Sequence, residues 1–214
     1  LPILNPLYGF FVARAGLGAS ESMRSKLAEY NDPRLSRAFI TKQGTSGKEQ
    51  APGTADNAVY APNGTPEQGT SKYGTSLFMY SISAPTLLLS YHELKFLEAE
   101  ALCRLERDAK SALKDAVVAG LLNAENSFTI SRKELGKTLI NAASSITEAE
   151  AESYFDNTIE AKYTAEPLKT TMTQKYFALW GASGEATESY NDVRRMKGLG
   201  ENFIELKNPN SFPL

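Results

Sequence analysis

A mainly α fold, interrupted by long irregular loops, is what this sequence predicts, on three observations. From position 90 onward apolar residues recur at helical spacing over several successive stretches, and residues able to cap a helix open most of them. No alternation of apolar and polar residues is long enough for a substantial sheet; Leu77-Phe78-Met79-Tyr80-Ser81-Ile82 is the best strand candidate. Residues 41–76 carry so many Gly, Pro, Ser, Thr, Asn and Gln that neither period survives.

The elements follow in chain order. A short helix is expected over 20–30: Ser20 caps it, and Met23, Leu27 and Tyr30 share one face. It stops at Asn31-Asp32-Pro33, because proline disfavours helical geometry at the residue before it and both preceding side chains bond nearby amides. The 41–76 segment reads as a long loop, either functional or disordered, with disorder weighing most on 44–56. Ser90-Tyr91-His92-Glu93 is a capping box, followed by Tyr91, Leu94, Leu97, Ala101, Leu102 and Leu105 at helical spacing. A second helix is expected at about 109–123, giving a helical hairpin over 90–125 of tetratricopeptide type, although the strict repeat consensus is absent. Residues 126–146 are ambiguous, and short helices are expected there. Thr147-Glu148-Ala149-Glu150 is another capping box, opening a helix to about Tyr163, and Pro167 suits the first turn of the next. Leu168, Met172, Tyr176, Leu179 and Trp180 form that helix's apolar stripe.

Bulk properties exclude several function classes. The chain has 214 residues, 42% of them hydrophobic, and a net charge of −2. That leaves no basic field to gather nucleic acid, and no apolar run spans a bilayer. A single cysteine, Cys103, excludes an internal disulfide and any multi-cysteine zinc site; on its alanine- and leucine-rich helix it reads as a buried free thiol. A single histidine, His92, excludes a histidine-rich metal site and weighs against a Ser-His-Asp triad. No metal site and no cofactor are expected.

Near the C-terminus, Gln174-Lys175-Tyr176-Phe177-Ala178-Leu179-Trp180 is followed by Gly181-Ala182-Ser183-Gly184, then Glu185 and Tyr190-Asn191-Asp192-Val193-Arg194-Arg195. This order resembles the C-terminal signature of the SusD/RagB family, surface nutrient-binding lipoproteins of Bacteroidetes outer membranes. The tryptophan usual after the family's glutamate-alanine pair is missing, and Ala186-Thr187-Glu188-Ser189-Tyr190 stands in its place. Asn31-Asp32-Pro33-Arg34-Leu35, the 89–101 segment and Asn208-Pro209-Asn210-Ser211-Phe212-Pro213 resemble further segments of the family. The resemblance implies that residues 1–214 are the C-terminal part of a single SusD-like domain of α-α superhelix fold, with 147–196 as helical scaffold. It also implies a protein lipid-anchored at the outer membrane and facing the exterior, through an anchor region this chain lacks. Its function would be to bind oligosaccharide or peptide without turnover, with a SusC-like TonB-dependent transporter as partner. The alternative is a helical-repeat scaffold that binds only protein partners.

Carboxylates are numerous enough that catalysis has to be weighed. Glycoside hydrolysis requires two of them facing each other across a bond, one with a raised pKa. Glu93 is expected to serve the helix cap, Glu98 and Glu100 diverge, and Arg194 and Arg195 are expected to keep Glu185 and Asp192 ionised. No catalytic residue is therefore assigned. Adjacent guanidinium groups can grip an anionic ligand, but on a helix boundary Arg194 and Arg195 are expected to tie helices together. Ligand contacts are expected instead from the long loop. Sugars stack on exposed aromatic rings while amides bond their hydroxyls, which selects Tyr60 and Tyr73 with Asn57 and Asn63.

Overall fold

The computed structural model describes residues 4–14, 18–43, 48–50, 60–62, 73–135, 144–182 and 184–205. The chain divides into two compact units, one formed by residues 1–84, 126–145 and 206–214, the other by 85–125 and 146–205.

In the first unit, helix α1 (Pro6–Arg14) has no counterpart in the expectations above, yet its signal is present. Asn5 Oδ1 accepts a hydrogen bond from Leu7 N at 3.0 Å, and Pro6 occupies the first helical position, where a missing N–H costs nothing. Asn5 also donates from its side chain to Ala84 O (2.9 Å) and from its backbone to Ile82 O (3.0 Å), fixing the helix start to a distant turn. Helix α2 (Glu21–Glu29) is capped by Ser20, whose Oγ accepts from Met23 N at 3.2 Å, and Met23, Leu27 and Tyr30 are buried as their spacing requires. The turn after it holds Asn31 at a φ of 49°, a left-handed conformation that asparagine tolerates. Asp32 then receives both the backbone and the guanidinium of Arg34, with Nε at 2.8 Å and Arg34 only 2% exposed.

Two corrections concern the long loop and the segment that follows it. Strand β1 (Phe39–Gln43) pairs antiparallel with β2 (Lys48–Gln50) and with β3 (Thr75–Ser76), so a small sheet of order β2-β1-β3 stands where an unbroken loop was expected. The strands are too short to generate a visible period; backbone pairing makes them, not side-chain pattern. The Leu77–Tyr80 stretch, the best strand candidate, is instead a 3₁₀ turn in which Phe78 N donates to Ser76 Oγ at 3.3 Å. Leu77 and Phe78 are both buried there, and Phe78 packs on Phe128 with ring centroids 4.7 Å apart. Ser131 Oγ adds a hydrogen bond to Leu77 O at 2.6 Å.

In the second unit, α3 (Tyr91–Arg104) begins as expected at Ser90, whose Oγ accepts from Glu93 N. Helix α4 (Lys110–Leu135) is one long helix, absorbing the first part of the span where short helices were expected; its residues up to Glu125 belong to this unit and the rest to the first. Its start is fixed by Asp108, which accepts from Lys110 N, and by Tyr163 Oη, which accepts from Ala109 N at 2.8 Å. The helix expected over 147–163 forms as α5 (Glu148–Tyr154), a π-helical turn at Phe155–Ile159, and α6 (Glu160–Ala165). Helix α7 (Pro167–Leu179) has proline in its first turn and is buried on nearly all sides, polar Thr171, Gln174 and Lys175 included, so the single stripe read from sequence understates it. Helix α8 (Ala186–Gly198) packs Val193 and Met196 against Met172 of α7 and Ile204.

Helix α3 reverses its expected orientation. Tyr91, Leu94, Leu97 and Leu105 are 58%, 51%, 42% and 66% exposed, whereas His92, Glu93, Phe96, Ala99 and Glu100 are buried. The buried side is the one that meets α7, and the charges it carries find partners there and on α8. At the crossing of α4 with α7, Gly120 lets Ala178 approach: a Cβ at position 120 would lie 3.0 Å from the Ala178 methyl.

Candidate functional site

Two groups of residues can be built up from the sequence, one in each unit. In the first, Ala61 lies in a parallel bridge with Ser20, with Ala61 N donating to Ala19 O at 2.8 Å and Glu21 N donating to Ala61 O at 3.0 Å. These bonds fix the chain beside the start of α2 and so place Tyr60. Its ring meets Phe39 edge-on (5.3 Å, 86°), and the Arg24 guanidinium sits 5.1 Å from the ring centre. Tyr60 is half-buried.

Tyr73 corrects an expectation. It is 4% exposed, not the open ring anticipated from a loop rich in glycine. The reason is local: Ala19 N donates to Gly74 O at 2.7 Å, and Gly18 has no Cβ that would press within 3.2 Å of the Tyr73 Cβ. Asn57 and Asn63 lie outside the described residues.

In the second unit, a cleft of about 510 Å³ is lined by Leu97 and Ala101 together with Glu93, Glu100, Lys175 and Arg195. Its charges are largely satisfied within the protein. Glu100 accepts from Arg104 Nε (2.7 Å) and from both ends of Arg195, with 2.8 Å to Nη2. Burial pulls the Glu100 carboxyl upward, but the two guanidinium groups outweigh it and hold the group below its ordinary value. Arg195 also reaches Asp192 (2.8 Å), Asp192 holds Lys175 Nζ at 2.7 Å, and Arg104 grips Glu201 at 2.8 Å. Arg195 therefore ties α3 to α8, as expected of it. Arg194 does not share that role: it is exposed and lies 5.7 Å from the Tyr190 ring centre.

Sequence reading missed Glu185. It was expected to be kept ionised by neighbouring arginines, yet it is 1% exposed and faces α3, with Oε1 accepting from Ser90 N and Oε2 3.4 Å from His92 Nε2. The Ser90 amide that a capping box would give to Glu93 is thus taken by a residue 95 positions away. Burial, and after it the neighbouring Glu185, push the Glu93 carboxyl up to about 7.

The geometry of both groups is that of a structural scaffold, with Tyr60 half-buried in the first and Tyr190 exposed in the second. Residues 2–197 match the sequence profile of the SusD-like family described as "Starch-binding associating with outer membrane". The chain belongs to the SusD-like family. A crystal structure of a SusD/RagB family protein from Bacteroides thetaiotaomicron VPI-5482 is 61% identical to it, with a TM-score of 0.91 over 97% of this chain. This SusD-like chain spans 44% of the length of that protein. A comparison with curated proteins found no match. At such identity the mainly helical fold is that of the SusD/RagB family. Among the described residues, no helix is long and apolar enough to cross a membrane, and no group of His, Cys, Asp or Glu is arranged to hold a metal ion.

Proposed function

We propose that this SusD-like chain is part of a non-enzymatic glycan-binding protein at the outer membrane, which passes its ligand to a SusC-like TonB-dependent transporter. The observation that carries the reading is the family match over residues 2–197, whose description names starch binding and outer-membrane association. A surface position held by a lipid anchor elsewhere in the longer protein belongs to the same proposal.

Tyr60 supplies the stacking surface in this reading, because it is only partly buried while Phe39 and Arg24 contact its ring. Asn57 and Asn63, which lie outside the described residues, supply hydroxyl contacts in the same reading. Tyr73 takes part from underneath, as a buried support of the segment, and not as a platform. A hydrolase reading finds no support in the carboxylates. Retaining and inverting glycosidases separate theirs by roughly 5 Å or more to admit the bond being cut. Glu185 is instead engaged by the Ser90 amide inside the fold, and Glu100 is clamped by two arginines.

The test is titration with a panel of starch-type and other oligosaccharides, followed by calorimetry, with product analysis run in parallel. Binding without new reducing ends is expected. Tyr60→Ala should weaken binding about 2- to 10-fold, as loss of one aromatic contact does, while leaving the fold intact. Silence across the panel, or sustained release of shorter sugars, defeats the proposal.

A further inference from the structure

Helix α3 buries one side and leaves an apolar one open. Toward α7 it buries Phe96 and Ala99, together with the Glu100 carboxylate that Arg104 and Arg195 hold. Around the other side Tyr91, Leu94, Leu97, Ala101 and Leu105 are all exposed, and Leu88 and Leu89, which lead into the helix, are exposed as well. At 100° per residue these five helical positions fall within an arc of roughly 120°, the width of a face that packs on another element. Glu98 is the one charged residue inside that arc, and Lys95 holds it at 2.9 Å.

The borders of the stripe are polar. On one side Lys95 pairs with Asp115 of α4 at 3.4 Å. On the other, Arg195 joins Glu100 to α8, and Leu97 and Ala101 share the cleft described above with Glu188, Asn191 and Asp192. A contiguous apolar patch with a polar rim is the mark of an interaction surface.

The chemistry of the rim and the length of the related protein select the occupant. A lipid surface calls for Lys and Arg along the flanks, whereas Asp115 and Glu188 stand on the two borders of this stripe. A second copy fits poorly, because the stripe from Tyr91 to Leu105 is centred on Glu98. Two antiparallel copies related by a two-fold axis at its middle would set Glu98 against itself. The SusD/RagB protein of known structure, by contrast, has more than half of its length outside the part that this chain matches, since the match covers 44% of it. Stacked helical hairpins bury their faces only against neighbours, so an open leucine face calls for a further helix.

We propose that Tyr91, Leu94, Leu97, Ala101 and Leu105 seat an amphipathic helix supplied by the portion of the longer protein that lies outside this chain. Helix α3 has 14 residues and is therefore about 21 Å long, which sets the reach of the seated helix. Its apolar face meets the leucines, its closest approach is at the small Ala101, and a basic or polar residue stands opposite Glu98.

The test uses the longer protein, purified and shown to be monomeric by sedimentation. Leu94→Ala and Leu97→Ala keep helix propensity, so a loss of stability reports lost packing. At least one of them should lower the folded-to-unfolded ratio in denaturant, followed by circular dichroism, by about 30-fold or more, as at buried leucines. A leucine left in water changes that ratio by only about two-fold. Losses below about 30-fold at both positions overturn the proposal. If the variants do not fold, hydroxyl-radical footprinting of the unaltered monomer decides: oxidation of Leu94 and Leu97 should run at least about ten-fold below its rate in the denatured protein. Weaker protection overturns the seat, and so does protection that develops only as the protein self-associates or when another protein is added. Neither readout involves sugar, so the result is independent of the glycan reading.

Discussion

Glu93 and Glu100 lie two turns apart on the buried side of α3 and answer pH in opposite directions. Glu93 is raised, first by burial and then by Glu185; Glu100 is raised by burial but more strongly lowered by Arg195 and Arg104. For Glu100 the sign follows from the lowered value. Its contribution is present above the ordinary carboxylate range and disappears as the pH falls through the folded value. Glu100→Gln should destabilise the chain by about 1–3 kcal/mol at pH 7, since it weakens charge-assisted hydrogen bonds to two guanidinium groups that are partly solvated. Denaturant unfolding should find this difference much reduced at pH 3. An equal difference at both pH values would mean that the charge is not what Glu100 contributes. Tyr163 offers a neutral comparison. Its hydroxyl accepts from Ala109 N and donates to Asp108 Oδ1, so Tyr163→Phe should cost about 0.5–1.5 kcal/mol, seen as a lowered Tm.

At the scale of elements, local signals place helix starts and tertiary contacts decide helix faces. Ser20, Ser90 and Thr147 all cap as their positions in the sequence suggest. Ser90→Ala should accordingly lower stability by about 1 kcal/mol, measured by thermal unfolding, because the Glu93 amide loses its acceptor. The face of α3 was not legible in the same way. Its leucines occupy helical spacing, yet the helix turns them outward and buries Phe96 with a histidine and two glutamates. Apolar periodicity assumes that charged residues stay in water; here Arg195 from α8 compensates Glu100, and Glu185 meets His92. Helix α7 shows the same limit, since buried Lys175 and Gln174 look solvent-facing until Asp192 and Tyr154 are placed beside them. The α4–α7 crossing depends on small residues. Gly120→Leu should destabilise the chain by about 1–3 kcal/mol in denaturant unfolding, because the added side chain meets Ala178 at a distance that leaves no space. A neutral result would show that the helices separate easily.

For the whole molecule, the family was legible from order rather than composition. The segment from Gln174 to Arg195 carries the resemblance, and the match over residues 2–197 bears it out. In the structure several of these positions hold helices together: Lys175 and Arg195 through ion pairs with Asp192 and Glu100, Leu179 in the core, and Glu185 at the base of α3. The ligand site was less legible, because the loop from which it was drawn has no period and no motif. Composition picked out Tyr60 and Tyr73 alike, and only the packing of Gly18 and Ala19 separates the half-buried ring from the buried one. By itself, then, the sequence determined the helical class, the helix starts and the family, because caps, spacing and motif order are local properties of the chain. Which face of α3 is buried, where Glu185 points and which tyrosine is accessible were decided by tertiary structure. Each of them depends on a partner 40 or more residues away, as with Ser90 and Glu185 at a separation of 95.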